Sequence, residues 1–110
     1  QFGTPIGVFQ VIKHRCADQM TDTEAAKYIV YQAAWTISEG LPCSKEASFA
    51  KAWVNDASRR VCVEAQQTHA GIGITHDYDL GFYTRRAKVG EFVYGNTPYH
   101  LEKIAQELGL

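Results

Sequence analysis

Cysteine is scarce in this chain of 110 residues, and the three present, Cys16, Cys43 and Cys62, are odd in number and form no C-x-x-C pair. A disulfide framework and a structural zinc site are therefore excluded as readings, and reduced, intracellular thiols are the expectation. The three prolines stand near the start and at two apparent junctions, so long helices can run between them. No apolar run approaches the ~20 residues that a membrane span requires, which argues against membrane insertion. Charge of one sign is lacking too: eleven Lys and Arg against twelve Asp and Glu leave a net charge of -1, without the positive excess on which nucleic-acid binding rests. Repeats, low-complexity tracts and linker-like stretches are absent. What is there, 45% apolar and 21% charged residues, has the proportions of one globular domain spanning residues 1–110. The first residue is Gln1 and no targeting leader is visible, so the expectation is a segment that begins mid-protein.

Apolar residues recur at helical spacing. Phe9, Ile12, Cys16 and Met20, then Ala26, Val30, Ala33 and Ile37, step by three or four and mark one helix face. Thr21-Asp22-Thr23-Glu24 between them resembles a capping sequence, but one long helix is favoured. Gly40 can supply a left-handed C-terminal residue and Pro42 cannot continue the helix. Ser44 is expected to cap a second helix, with Ala50, Trp53, Ala57, Val61 and Ala65 as its buried stripe, ending near His69. Ala70-Gly71-Ile72-Gly73 interrupts it. Thr75 is expected to cap a third helix carrying Phe82 to about Val93, and Gly95 to end it. Asn96 or Thr97 should cap a fourth helix, with Pro98 at its first helical position. No stretch alternates like a strand, so the fold class is all-α: an antiparallel bundle of about four helices.

Few residues announce chemistry by spacing alone. The glycine segment 70–73 either lets backbone N–H groups approach a ligand or is a plain helix-to-helix turn; it follows a helix, which a dinucleotide fingerprint would not. His14, His69, His76 and His100 form no ligand pattern, so no metal is expected. Cys16 and Cys62 read as packing residues. Arg85, Arg86 and Lys88 read as a solvated face or an intersubunit ion-pair site.

Read as consecutive text, three segments go further. Gln1-Phe2-Gly3-Thr4-Pro5-Ile6-Gly7 followed by Phe9-Gln10 resembles the FGxPIGxFQ signature of the C-terminal helical domain of acyl-CoA dehydrogenases. Gln67 to Tyr78 is similar to that family's QxHGGxGxTxEY, with Ala70 for the first Gly and Asp77 for Glu. Tyr83 to Lys88 resembles its YRDAR run, with Arg86 for the usual Asp, and Tyr94-Gly95-Asn96-Thr97 resembles YGGT or YEGT.

The resemblance implies a domain of an FAD-dependent enzyme that introduces an α,β double bond into an acyl-CoA thioester. It implies flavin contacts at Phe2, Gln10, Gln67, Ala70 and Gly71 toward a dimer partner's FAD, and at Thr97 toward the same subunit's. The catalytic carboxylate of YEGT members falls on Tyr94 or Gly95, neither an acid, so the base is expected outside this chain. Implied partners are acyl-CoA, further subunits in a homodimer, tetramer or hetero-oligomer, and an electron-transfer flavoprotein. A bacterial cytoplasm is the expected location, with the mitochondrial matrix as alternative. Two rival readings are a related flavin oxidase or monooxygenase and a stand-alone helical interaction module without flavin.

Overall fold

Gln10–Ser38 fold as one helix, α1, straight through the capping-like Thr21–Glu24. The competing side chains are satisfied within the helix or across it. Thr21 and Thr23 donate their hydroxyls to the carbonyls of Ala17 and Gln19, at 3.0 and 2.7 Å, and Asp22 is taken by Arg60. The computed structural model describes all of residues 1–110 and adds three further helices: α2 (Ser44–His69), α3 (Leu80–Phe92) and α4 (Thr97–Leu108). Short 3-10 turns occupy Ile6–Val8 and Ala70–Ile74, and no strand is present. The expected four-helix, all-α architecture is therefore observed, with α2 as the central helix against which α1, α3 and α4 all pack.

The helix ends show which local signals won. At the end of α1, Gly40 (φ 67°) lets its own N–H reach Ile37 O and the Leu41 N–H reach Thr36 O, a Schellman termination with Pro42 beyond it. At the start of α4, the Asn96 side chain accepts from the Tyr99 N–H at 3.2 Å. Two expected caps fail. Ser44 is the first residue inside α2 and donates its hydroxyl to Glu107 of α4 instead. Thr75 lies five residues before α3 and donates to Ile72 O at 2.9 Å, closing the 3-10 turn. In both cases the cap position falls on another residue, Cys43 for α2 and Asp79 for α3, and the hydroxyl donates to a tertiary or turn acceptor.

The packed faces also differ from the apolar stripes. On α1 the inward positions are Ile12, Arg15, Gln19, Asp22, Ala26, Ile29, Ala33 and Thr36, while Cys16, Met20, Val30 and Ile37 face outward. Arg15 and Asp22 belong inside because α2 supplies their counter-charges: Arg15 Nε lies 3.1 Å from Glu64 Oε2, and Arg60 meets both Asp22 oxygens at 2.7 and 2.8 Å. On α2 the buried residues are Ser48, Ala50, Ala52, Asn55 and Ala57, all small enough for helices to approach from several sides. Trp53, expected in that stripe, stays 41% exposed.

Much apolar surface is left uncovered. Only ten residues are buried, and Val11, Tyr28, Tyr31 and Trp35 of α1 are all more than half exposed. The radius of gyration is 17.0 Å, where a globular chain of this length has about 13 Å. The accessible surface of 7845 Å² exceeds by roughly 1,700 Å² that of a compact monomer of 12.3 kDa. That excess is about twice the ~800 Å² that one partner contributes to a standard interface.

Candidate functional site

The two ion pairs between α1 and α2 set an antiparallel register that brings the start of α1 level with the end of α2. Gln10 and Gln67 therefore share one end of the hairpin, and Phe2, 89% exposed, lies in the turn leading into it. Gln10 and Gln67 are exposed, and their amides take no part in the chain's own side-chain hydrogen bonds.

At that same end the 3-10 turn leaves α2 through Ala70, whose φ of 52° and ψ of −138° lie in a region side chains avoid. Its N–H still bonds Gln67 O, which ends the helix. Two glycines of the turn have different reasons to be glycine. A Cβ on Gly73 would sit 2.9 Å from His69 Cβ and 3.0 Å from Gln66 O, so the chain's own packing demands it. A Cβ on Gly71 would meet nothing within 4 Å, and Gly71 does not have a positive φ. Nothing inside this chain requires Gly71 to lack a side chain.

The sixth residue, Thr97, lies elsewhere. Its hydroxyl donates to Asp56 Oδ1 of α2 at 3.0 Å, about 16 Å along that helix from the level of Gln67. Five of the six residues singled out by sequence thus gather at one end, and Thr97 lies at the side of the bundle. There it borders a cleft of about 570 Å³ that also exposes Phe49, Trp53, Asp56 and Arg60.

The turn between α3 and α4 precedes Thr97. Tyr94 holds φ 64° with its ring 90% exposed, and Gly95 holds φ 107°. A Cβ on Gly95 would lie 2.5 Å from Tyr99 Cδ1 and 3.0 Å from His100 Nε2, so no carboxylate-bearing residue fits there as the turn stands. This turn is held by residues that the motif comparison did not single out. Asn55, 2% exposed, donates Nδ2 to Gly95 O at 3.4 Å and accepts from Lys51 Nζ at 2.7 Å. Lys51 also donates to Gly90 O, and buried His100 places Nε2 3.0 Å from Tyr94 O. Their sequence signal was slight: one polar residue, Asn55, interrupting the small apolar residues of α2.

Three environments shift titrating groups. Desolvation pushes the Lys51 ammonium below its ordinary value, partly offset by the charge of Glu91. Hydrogen bonding from Arg60 holds the Asp22 carboxyl below the usual carboxylate range. Burial pushes the half-buried Cys62 thiol up, away from reactive thiolate character. Cys16, read from sequence as packing, is exposed.

Comparison with known proteins follows the same lines as the motifs. Residues 1–109 match the family described as acyl-CoA dehydrogenase, C-terminal domain. An acyl-CoA dehydrogenase of Bacillus subtilis is 41% identical over 95 residues, covering 86% of this chain and 25% of that protein. Butyryl-CoA dehydrogenase from Megasphaera elsdenii superposes with a TM-score of 0.95 at 34% identity, over 100% of this chain and 29% of that one. A chain in the solved structure of the electron transferring flavoprotein of Acidaminococcus fermentans superposes with a TM-score of 0.94 at 36% identity, over 98% of this chain and 28% of that one. The chain spans about a quarter of the length of the curated relatives it matches.

Proposed function

This chain belongs to the acyl-CoA dehydrogenase family, as its C-terminal domain, and on that premise we propose that it completes the flavin site and the subunit interface of a longer enzyme that desaturates an acyl-CoA thioester. The carrying observation is the family match along residues 1–109. The chain's large uncovered surface supports it, since a domain built to be enclosed by other domains and subunits leaves its faces open.

The residues present fit FAD. Gly71 stands open where a close backbone approach needs no side chain, and Gln10 and Gln67 offer uncommitted amides beside it. Phe2 offers an exposed aromatic face. In this reading Phe2, Gln10, Gln67, Ala70 and Gly71 hold the flavin nucleotide of a neighbouring subunit, and Thr97 contacts the flavin of its own. The separation along α2 suits two different flavins better than one. Bound flavin supplies the acceptor for the hydride lost from the thioester's β carbon.

Thr97 is oriented by Asp56. With its proton donated to that carboxylate, the hydroxyl presents lone pairs and suits a donor on the ligand. No carboxylate of this chain stands at the Tyr94–Gly95 position, and Gly95 leaves no room for one. The α-proton base in this reading comes from a helix outside residues 1–110, and the domain's contribution is rigid placement in a water-poor site.

The test is made on the intact subunit. It should purify yellow and bleach anaerobically with an acyl-CoA thioester, and Gly71→Val should lower FAD retention with little change in helix content. Flavin that no acyl-CoA reduces would sink the dehydrogenase reading. Equal flavin affinity in Gly71→Val and parent would sink the assigned contact.

A further inference from the structure

The C-terminal end of α3 carries no basic residue of its own, so its orphan carbonyls need a partner from elsewhere. Lys51 supplies it from α2. Its ammonium donates to Gly90 O, in the last turn of α3, and to Asn55 Oδ1 at 2.7 Å. Asn55 passes the constraint on by donating Nδ2 to Gly95 O. The last turn of α3 and its exit are thereby tied to the central helix, the turn by the Lys51 cation and the exit by the Asn55 amide, at the end of a helix where positive charge is favoured.

The loop so held is strained and open. Tyr94 and Gly95 both lie at positive φ, Tyr94 is 90% exposed, and on the α4 side His100 grips Tyr94 O. A strained turn persists only where its surroundings over-determine it, and here the surroundings are Lys51, Asn55 and His100. We propose that Lys51, acting through Asn55, is a positioning residue: it terminates α3 and fixes the Tyr94–Thr97 turn, and with it the placement of the Tyr94 ring and the Thr97 hydroxyl. This rests on the proposed function, in which Thr97 of that turn contacts the flavin of its own subunit. Neither residue touches ligand; the effect passes entirely through the backbone of residues 90–97.

The experiment uses the full-length flavin-loaded subunit with Lys51→Met and Lys51→Arg. Hydrogen exchange should show faster exchange at the amides of residues 94–97 in Lys51→Met, and no change in the glycine turn 70–74. FAD content should stay near the parent's. The limiting rate of flavin reduction by an acyl-CoA should fall roughly ten- to hundredfold, the loss expected of a misplacement near 1 Å. Lys51→Arg, which keeps charge and donors, should recover most of the rate. Faster exchange with an unchanged reduction rate overturns the proposal, because the residue is then structural only. Unchanged exchange overturns it as well. If Lys51→Met does not accumulate, Asn55→Asp, which keeps an acceptor for Lys51 and sets a carboxylate oxygen where the donor to Gly95 O was, carries the same two readouts. A parent subunit that no acyl-CoA bleaches overturns the functional reading and this one with it; a parent that bleaches, and a variant that bleaches as fast, overturns this one alone.

Discussion

Replacing Ala70 by glycine should stabilise the protein, while the same exchange within α1 should do the opposite. Ala70 holds φ 52° and ψ −138° and is exposed, so its methyl adds backbone strain without packing. Strain of that kind costs about 1–3 kcal/mol. Glycine gives back about 0.4–1 kcal/mol through the larger freedom of the unfolded chain. The balance is a gain of about 0.5–2 kcal/mol for Ala70→Gly. Ala17 is also exposed but lies inside α1 at ordinary helical angles, and there Ala→Gly loses about 0.8–1.0 kcal/mol. Urea unfolding of the flavin-free subunit, followed by helix circular dichroism, compares the two without ligand linkage. The midpoints should move in opposite directions. A midpoint lowered by Ala70→Gly as much as by Ala17→Gly would refute the strain argument, and with it the account of how α2 is turned off at this residue.

The Asp22–Arg60 pair gives a pH signature. Hydrogen bonding from Arg60 lowers the Asp22 carboxyl, a smaller desolvation effect opposes it, and the guanidinium charge assists. A depressed carboxyl stabilises the fold in full above its unfolded value of about 3.9 and loses that contribution as pH falls through the folded value. Asp22→Asn should therefore cost about 0.5–1 kcal/mol at neutral pH, limited by the half-exposed Arg60, and nothing in strong acid; a pH-independent difference in unfolding free energy would contradict this. At the α3–α4 turn, Gly95→Glu should lower the melting temperature sharply through the clash with Tyr99, and Tyr94→Glu, exposed and already at positive φ, should be tolerated. Equal melting temperatures for the two variants would count against the geometry of the turn.

What the sequence by itself determined is local: where helices start and stop, and which text belongs to the family. Gly40, Asn96 and the 70–73 segment act through φ preferences and side chains that reach only a few residues, so they could be read without a partner. The motif residues Phe2, Gln10, Gln67 and Gly71 were readable for the same reason, being contiguous text. Tertiary structure alone decided the rest. Which face of α1 is inward depended on Arg60 and Glu64 of another helix, so Asp22 and Arg15 turned in while Met20 and Ile37 turned out. Ser44 lost its cap because the helix already includes it, with Cys43 at the cap position, and its hydroxyl donates instead to Glu107, 63 positions away. Lys51 and Asn55 gave only a slight signal in the sequence because, apart from each other, their partners are backbone carbonyls, and a carbonyl has no letter of its own. An apolar stripe records every surface a chain will ever bury, those against other domains included; the packing within these 110 residues accounts for only part of it.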